Sequence, residues 1–279
     1  MIPFDFEYYK PASVNEALQN YRYLQSENKR AIYYAGGTEF ISLARRGLIE
    51  VDAVIDLKDI PECNVLESRD GQVTIGAALS LAQLADSRLF PLLSRQVRGI
   101  ADHTSRNRIT LGGNLSGKTP YREALLPLLI CDSRIVVARE ERTETVSVHE
   151  RFNERYPDRP GEFNVQVKLD ADDMSLPFAC LKKTRFTKVE YPLASIASIL
   201  KDGRIRVAIS GICGFPFREL PIEEALNDRA IPLEQRIEQS LHHLPGPVLN
   251  DLHGSDEYRL FLLRRMLAET IRELEGETT

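Results

Sequence analysis

The chain has 279 residues, 28% of them charged and 43% hydrophobic, and a formal net charge of −5. That length holds about two domains on the usual prior of roughly 100–200 residues each, and an acidic balance with no basic tract argues against nucleic acid as the main partner. The opening MIPFDFEYYKP lacks the basic start and apolar core of a secretory signal, and the longest apolar run, ALLPLLIC, is far too short to cross a bilayer, so the expectation is a soluble, cytoplasmic protein without membrane insertion.

Ser13 and Glu16 form a capping box ahead of Val14, Ala17, Leu18, Tyr21 and Leu24, which share one helical face. Ile32, Tyr33, Tyr34 and Ala35 read as a strand running into the glycine pair of AGGTE (35–39), after which Phe40, Ile41, Leu43 and Ala44 continue at helical spacing. VIDL at 54–57 is a further strand, and Asp70-Gly71 is a hairpin turn between CNVLES and QVTIGA. Ser80 with Gln83 caps another helix. A second glycine pair, TLGGN (110–114), follows RNRI and precedes REALLPLLIC, which is apolar enough to bury against a sheet; like the first pair, it is expected between a strand and a helix. Residues 139–160 are charged, contain YPDRPGE, and read as an exposed connection separating two halves before the strand FNVQVKL. In the second half, strands are expected around 179–181, 195–200 and 205–210, with Asp202-Gly203 as a tight turn. The last helix begins near Ser255, carries Asp256 and Glu257 in its first turn, and aligns Leu260, Leu263, Leu267 and Ile271.

The two glycine pairs carry the functional argument. Glycine pairs commonly serve only as turns, but two of them before helical segments can present backbone N–H groups to two linked phosphates. A dinucleotide is the natural candidate. Neither loop fits GxGxxG or a Walker pattern, so a Rossmann or P-loop site is excluded. Cys63, Cys131, Cys180 and Cys213 stand far apart with no CxxC, which leaves no spacing for zinc or an iron–sulfur cluster and makes no metal site the expectation for this chain.

Read in order, FDFEYYKPASVNEAL, YAGGTEF, VIDLKDI, DGQVTIGAALSLAQL, RNRITLGGN, GEFNVQVKLD, EYPLASIAS and RVAISGICGFPFRE resemble the FAD-binding subunits and domains of molybdenum hydroxylases, such as xanthine dehydrogenase and carbon monoxide dehydrogenase, along nearly the whole chain. The resemblance implies an α+β fold: a two-part FAD-binding domain of the vanillyl-alcohol-oxidase/PCMH type over 1–172, then a smaller α+β domain over 173–279 with an antiparallel sheet and helices. It implies noncovalent FAD held by Tyr33, Tyr34, Ala35, Gly36, Gly37, Thr38, Glu39 and Phe40 in the first segment and by Thr110, Leu111, Gly112, Gly113 and Asn114 in the second. Asn114 brings a donor and an acceptor without charge; a plain capping role is the alternative, which the paired loop disfavours.

Four further residues follow from the resemblance. Ile100 stands where relatives place an apolar residue beside the cofactor, and Glu123 in SGKTPYRE aligns with an aspartate that contacts the nucleotide. Lys118 and Arg122 depart from the small or neutral residues of relatives and read either as phosphate contacts or as a solvated loop. Val165 matches an apolar flavin contact or an ordinary core position. Lys182, in KKTRFTKVEYPL, matches the cofactor lysine, with Lys183 and a plain surface role as alternatives; a cation there would favour charge developing on flavin reduction.

No acid–base catalytic residue is implied on this chain. The implied activity is electron transfer within a hetero-oligomer, from two-iron two-sulfur clusters on a small partner subunit, beside a molybdopterin-binding large subunit, through FAD to NAD+ or another acceptor, as in a xanthine dehydrogenase-like complex. A stand-alone flavin oxidoreductase of the same fold group and a non-catalytic nucleotide-binding scaffold are the alternative readings.

Overall fold

The computed structural model describes residues 2–152, 160–187 and 189–276. In chain order its elements are β1 (Glu7–Tyr9), α1 (Val14–Ser26), β2 (Ala31–Tyr34), α2 (Thr38–Arg45), β3 (Ala53–Asp56), β4 (Leu66–Arg69), β5 (Gln72–Gly76), α3 (Leu81–Asp86), α4 (Pro91–Arg98), α5 (His103–Arg106), α6 (Leu111–Ser116) and α7 (Leu125–Ile130). There follow β6 (Arg134–Arg139), β7 (Arg142–Ser147), α8 (Val148–Arg151), β8 (Phe163–Asp170), β9 (Phe178–Lys183), β10 (Ala194–Lys201), β11 (Arg204–Ser210), α9 (Leu220–Leu226), α10 (Leu233–Leu241) and α11 (Asp256–Glu275). They form two compact units interleaved along the chain. One comprises 1–84, 103–117 and 132–170, and the other 85–102, 118–131 and 171–279. Residues 85–102 and 118–131, which the sequence reading placed within 1–172, thus group with the second unit.

The first unit contains a small parallel sheet, β1-β3-β2, and a five-stranded antiparallel sheet, β4-β5-β8-β6-β7. Every residue of β3 is buried, as expected of a central parallel strand covered on both faces. The period of two sorts its neighbours. Ala31, Ala53 and Ile55 share a core with Val14, Ala17, Leu18 and Leu24 of α1, whereas Val54 packs with Phe40 and Ala44 of α2. The α1 core continues into the larger sheet through Val136, Ala138, Phe163 and Val165. The helix starts as its sequence dictates: Ser13 Oγ accepts from the Glu16 amide (3.2 Å), and the Glu16 carboxylate reaches back to the Ala12 amide (2.7 Å).

The second unit is built on the antiparallel sheet β11-β10-β9. Ile196, Ile205, Val207 and Ile209 of that sheet share a core with Leu263, Met266, Leu267 and Ile271 of α11. Both hairpin turns take left-handed backbone at two successive residues, Asp70 (φ 51°) and Gly71 (φ 74°), and Asp202 (φ 53°) and Gly203 (φ 72°). That geometry matches the twist of the strands they join.

Three expectations are corrected. Within the segment 139–160, residues 142–147 form β7, paired antiparallel to β6, and 148–151 form the turn of α8, so 142–151 are not a connection. Because β8 then pairs with both β5 and β6, the chain stays in one sheet and no boundary falls there. The YPD and R of YPDRPGE (156–159) lie outside the described residues. The second glycine pair follows the short helix α5 rather than a strand, and Thr110 makes only an isolated bridge to Ser80. In α11 the buried stripe runs through Arg259, Leu263, Leu267 and Ile271, and Leu260 lies beside it, half-buried.

Candidate FAD site

In the first unit, β2 delivers the chain into the turn Ala35-Gly36-Gly37, and α2 begins at Thr38. Gly37 is the N-cap, in left-handed backbone (φ 68°) that a residue with a Cβ adopts at a cost. The Tyr34 ring lies against it, within 2.6 Å of where a Cβ would stand. A Cβ at Gly36 would stand 1.9 Å from the Arg108 carbonyl oxygen and 3.3 Å from the Thr110 amide nitrogen. The two glycine segments therefore touch backbone to backbone. The amides of Gly36, Gly37 and Thr38 have no acceptor among the described residues. Three successive free N–H groups at the positive end of an eight-residue helix form a cradle for an anion.

The second segment contributes differently. The Gly112 amide donates to Ala77 O (2.8 Å), the Gly113 amide to Thr110 Oγ1 (3.2 Å) and the Asn114 amide to Thr110 O (2.9 Å). These N–H groups are already satisfied, so this loop offers surface and side chains, Asn114 above all, rather than a second set of backbone donors. Leu111 is fully buried, Thr110 nearly so, and Gly113 is exposed.

Within the first segment the strand alternation divides the side chains. Tyr33 points into the α1 core, stacked on Tyr21 (centroids 5.3 Å) and against Phe163 (4.5 Å), and its hydroxyl donates to Gly161 O (3.2 Å). Burial pushes its phenol well up from the ordinary range. Phe40 is buried edge-on to Phe6 (5.8 Å). Thr38 and Glu39 are exposed in the first turn of α2. The Glu39 charge opposes a phosphate, which leaves the backbone as the attractive element there. Val165 lies in the core shared with α1, 2% exposed, and its carbonyl accepts from the Ala77 amide.

The remaining three residues converge in the second unit. The Lys182 ammonium lies 2.9 Å from Glu123 Oε2 and donates to Gly99 O (2.7 Å), immediately before Ile100. The Lys182 and Glu123 side chains are 16% and 4% exposed. Burial pushes the Glu123 carboxyl above its usual value, opposed by the lysine beside it. Strand alternation turns Lys182 inward and leaves Lys183 exposed.

Sequence reasoning missed a network beneath the first turn. Asp56, fully buried at the end of β3, accepts from the Tyr8 hydroxyl and from Lys58 Nζ (2.6 Å), and Lys58 Nζ also donates to Ala35 O (3.1 Å). Burial pushes the Asp56 carboxyl up, but the hydrogen bonds from Lys58 and Tyr8 outweigh it and hold the group below its ordinary 3.8. The acid at the end of an apolar strand, VID, was the available signal. Among the described residues no His/Cys/Asp/Glu cluster has the arrangement of a metal site. The Cys63 and Cys180 thiols are pushed up to about 12, chiefly by burial.

A glycine turn with free amides at a helix start, on a mixed α+β scaffold, has the features of an anion-binding site, and comparison with known proteins gives the family. Residues 4–169 match the model described as the FAD binding domain in molybdopterin dehydrogenase. The chain belongs to that family of FAD-binding medium subunits, the flavoprotein components of molybdenum hydroxylases. It is similar to the nicotine 6-hydroxylase medium subunit of Paenarthrobacter nicotinovorans, at 26% identity over 97% of this chain and 98% of that one. It is also similar to the glyceraldehyde dehydrogenase medium chain of Sulfolobus acidocaldarius, at 25% identity over 98% and 100%. Its fold matches a solved chain of carbon monoxide dehydrogenase from Hydrogenophaga pseudoflava with a TM-score of 0.88 and 24% identity, covering 100% of both chains. No helix among the described residues is long and apolar enough to cross a membrane.

Proposed function

We propose that this chain holds FAD noncovalently and serves as the electron-transfer subunit of a three-component complex, between an iron–sulfur small subunit and NAD+ or another acceptor, with molybdopterin on a large subunit. The observation that carries the reading is the run of three amides at Gly36, Gly37 and Thr38 with no acceptor among the described residues, in a turn whose two glycines have no room for a Cβ against Arg108 and Tyr34. Those amides would hold the diphosphate, with Tyr34, Ala35 and Glu39 flanking them. Thr110, Leu111, Gly112, Gly113 and Asn114 would form the adjoining wall. Lys182, fixed by Glu123 beside Ile100, is the residue proposed to favour negative charge on the flavin ring. Bound FAD supplies a carrier able to accept electrons singly and to release a pair.

The chain's own part is binding, orientation and exclusion of water. No general acid or base is required of it, and the substrate is selected on the large subunit; a xanthine dehydrogenase-like reaction is the reading carried forward. The test is to co-express the chain with its neighbouring subunits and analyse the purified complex. Equimolar FAD released intact by acid, together with NADH-dependent dye reduction, is the expected result. Flavin present with no response to NADH would replace NAD+ by another acceptor, and a colourless complex that takes up no added FAD would remove the function.

A further inference from the structure

We infer that Lys58 aims the first glycine turn at its anion, an assignment that rests on the FAD reading of that turn. Lys58 stands two residues beyond the end of β3, and its ammonium is held from three directions. Asp56 Oδ2 lies at 2.6 Å, Ala35 O at 3.1 Å, and the Tyr34 ring centroid at 4.7 Å. Asp56 itself cannot drift, since it is fully buried and also accepts from the Tyr8 hydroxyl and the Lys58 amide (3.0 Å).

The consequence follows from peptide geometry. The Ala35 carbonyl and the Gly36 N–H belong to one planar trans unit and point in opposite directions. Holding the carbonyl toward β3 turns the Gly36 N–H outward, and that N–H is the first of the three without an acceptor. Glycine residues leave such a peptide plane free to rotate, so the ammonium does what a side chain on the turn would otherwise do. Lys58 also brings a positive charge to within one peptide unit of the cradle. Its side chain is 45% exposed, so solvent weakens that second effect, and the orienting bond is the larger one. A lysine present only to neutralise Asp56 would have no need of the Ala35 oxygen.

The test uses the co-expressed complex, stripped of flavin and titrated with FAD, ADP and riboflavin. Lys58→Met should weaken FAD and ADP about tenfold, the loss of one charge-assisted hydrogen bond, and change riboflavin less than about twofold on the same scale. Lys58→Arg should recover most of the difference. Since Lys58→Met leaves the buried Asp56 carboxylate without its cation, the double variant Asp56→Asn/Lys58→Met guards against simple unfolding and should show the same selective loss. Retention of wild-type FAD affinity in the double variant, or equal losses for FAD and riboflavin, overturns the assignment. Failure of the wild type itself to bind FAD would instead overturn the reading beneath it.

Discussion

At Gly36 a single added methyl would stand 1.9 Å from a backbone oxygen of the neighbouring loop, whereas at Gly113 the nearest atom is the Thr110 hydroxyl at 3.0 Å. The two glycines therefore answer different questions. Gly36→Ala should destabilise the protein by about 1–3 kcal/mol, as overpacking does, read as a lower urea midpoint at unchanged slope. A midpoint equal to wild type would mean that the loops do not touch. The Tyr8–Asp56 contact gives a pH signature. Its hydrogen bond to Asp56 raises the Tyr8 phenol from 10.0 to about 12. The folded state thus holds that proton more tightly, and the stabilisation is full below pH 10 and lost as pH rises through 12. The stability difference between wild type and Tyr8→Phe should be constant from pH 7 to 9 and shrink across that alkaline window; a flat difference would rule the bond out. At this scale the glycine pairs were legible, because turn and cradle chemistry are local. Which amides are free was not. That depends on Ala77, which accepts from the Gly112 amide from elsewhere in the fold, and on Thr110 turning back to accept from Gly113 and Asn114 within the loop.

Elements defined by local rules were read closely. The α1 capping box, the Ser80–Gln83 box with its reciprocal bonds, both hairpin turns and the Ser255 cap of α11 all form as their sequences dictate. β7 was missed because RTETVS is a mostly exposed edge strand whose polar composition resembles a loop, and only its pairing to β6 makes it a strand. Arg259 was missed for the opposite reason: a charge on an amphipathic helix reads as solvent-facing, yet it is 0% exposed. It donates to Leu193 O (2.7 Å) and Gly211 O (2.6 Å) and pairs with Asp251 (2.8 Å). This one side chain ties α11 to the residue before β10 and the residue after β11, which lie together at the open end of that hairpin. Arg259→Met should lower stability by about 3 kcal/mol, because two buried backbone carbonyls lose their donor and Asp251 its cation; a loss under about 1 kcal/mol in a thermal melt would contradict that role.

For the molecule as a whole, the division of labour follows from what the chain contains and what its relatives are. It spans nearly the full length of the medium chains it matches, and the cradle, its supporting network and the second glycine wall all belong to one compact unit. Ile100, Glu123 and Lys182 gather in the other. That gathering was not visible in the sequence, since the three residues come from three separate segments. The account's central claim, that the amides of Gly36, Gly37 and Thr38 grip the diphosphate of FAD, is tested most directly by amide hydrogen exchange of the purified complex with and without the cofactor. Exchange in the peptide covering 35–40 should slow by an order of magnitude or more when FAD binds, while the already bonded amides of 112–114 change little. Bound FAD with unaltered exchange at 36–38 would contradict the account.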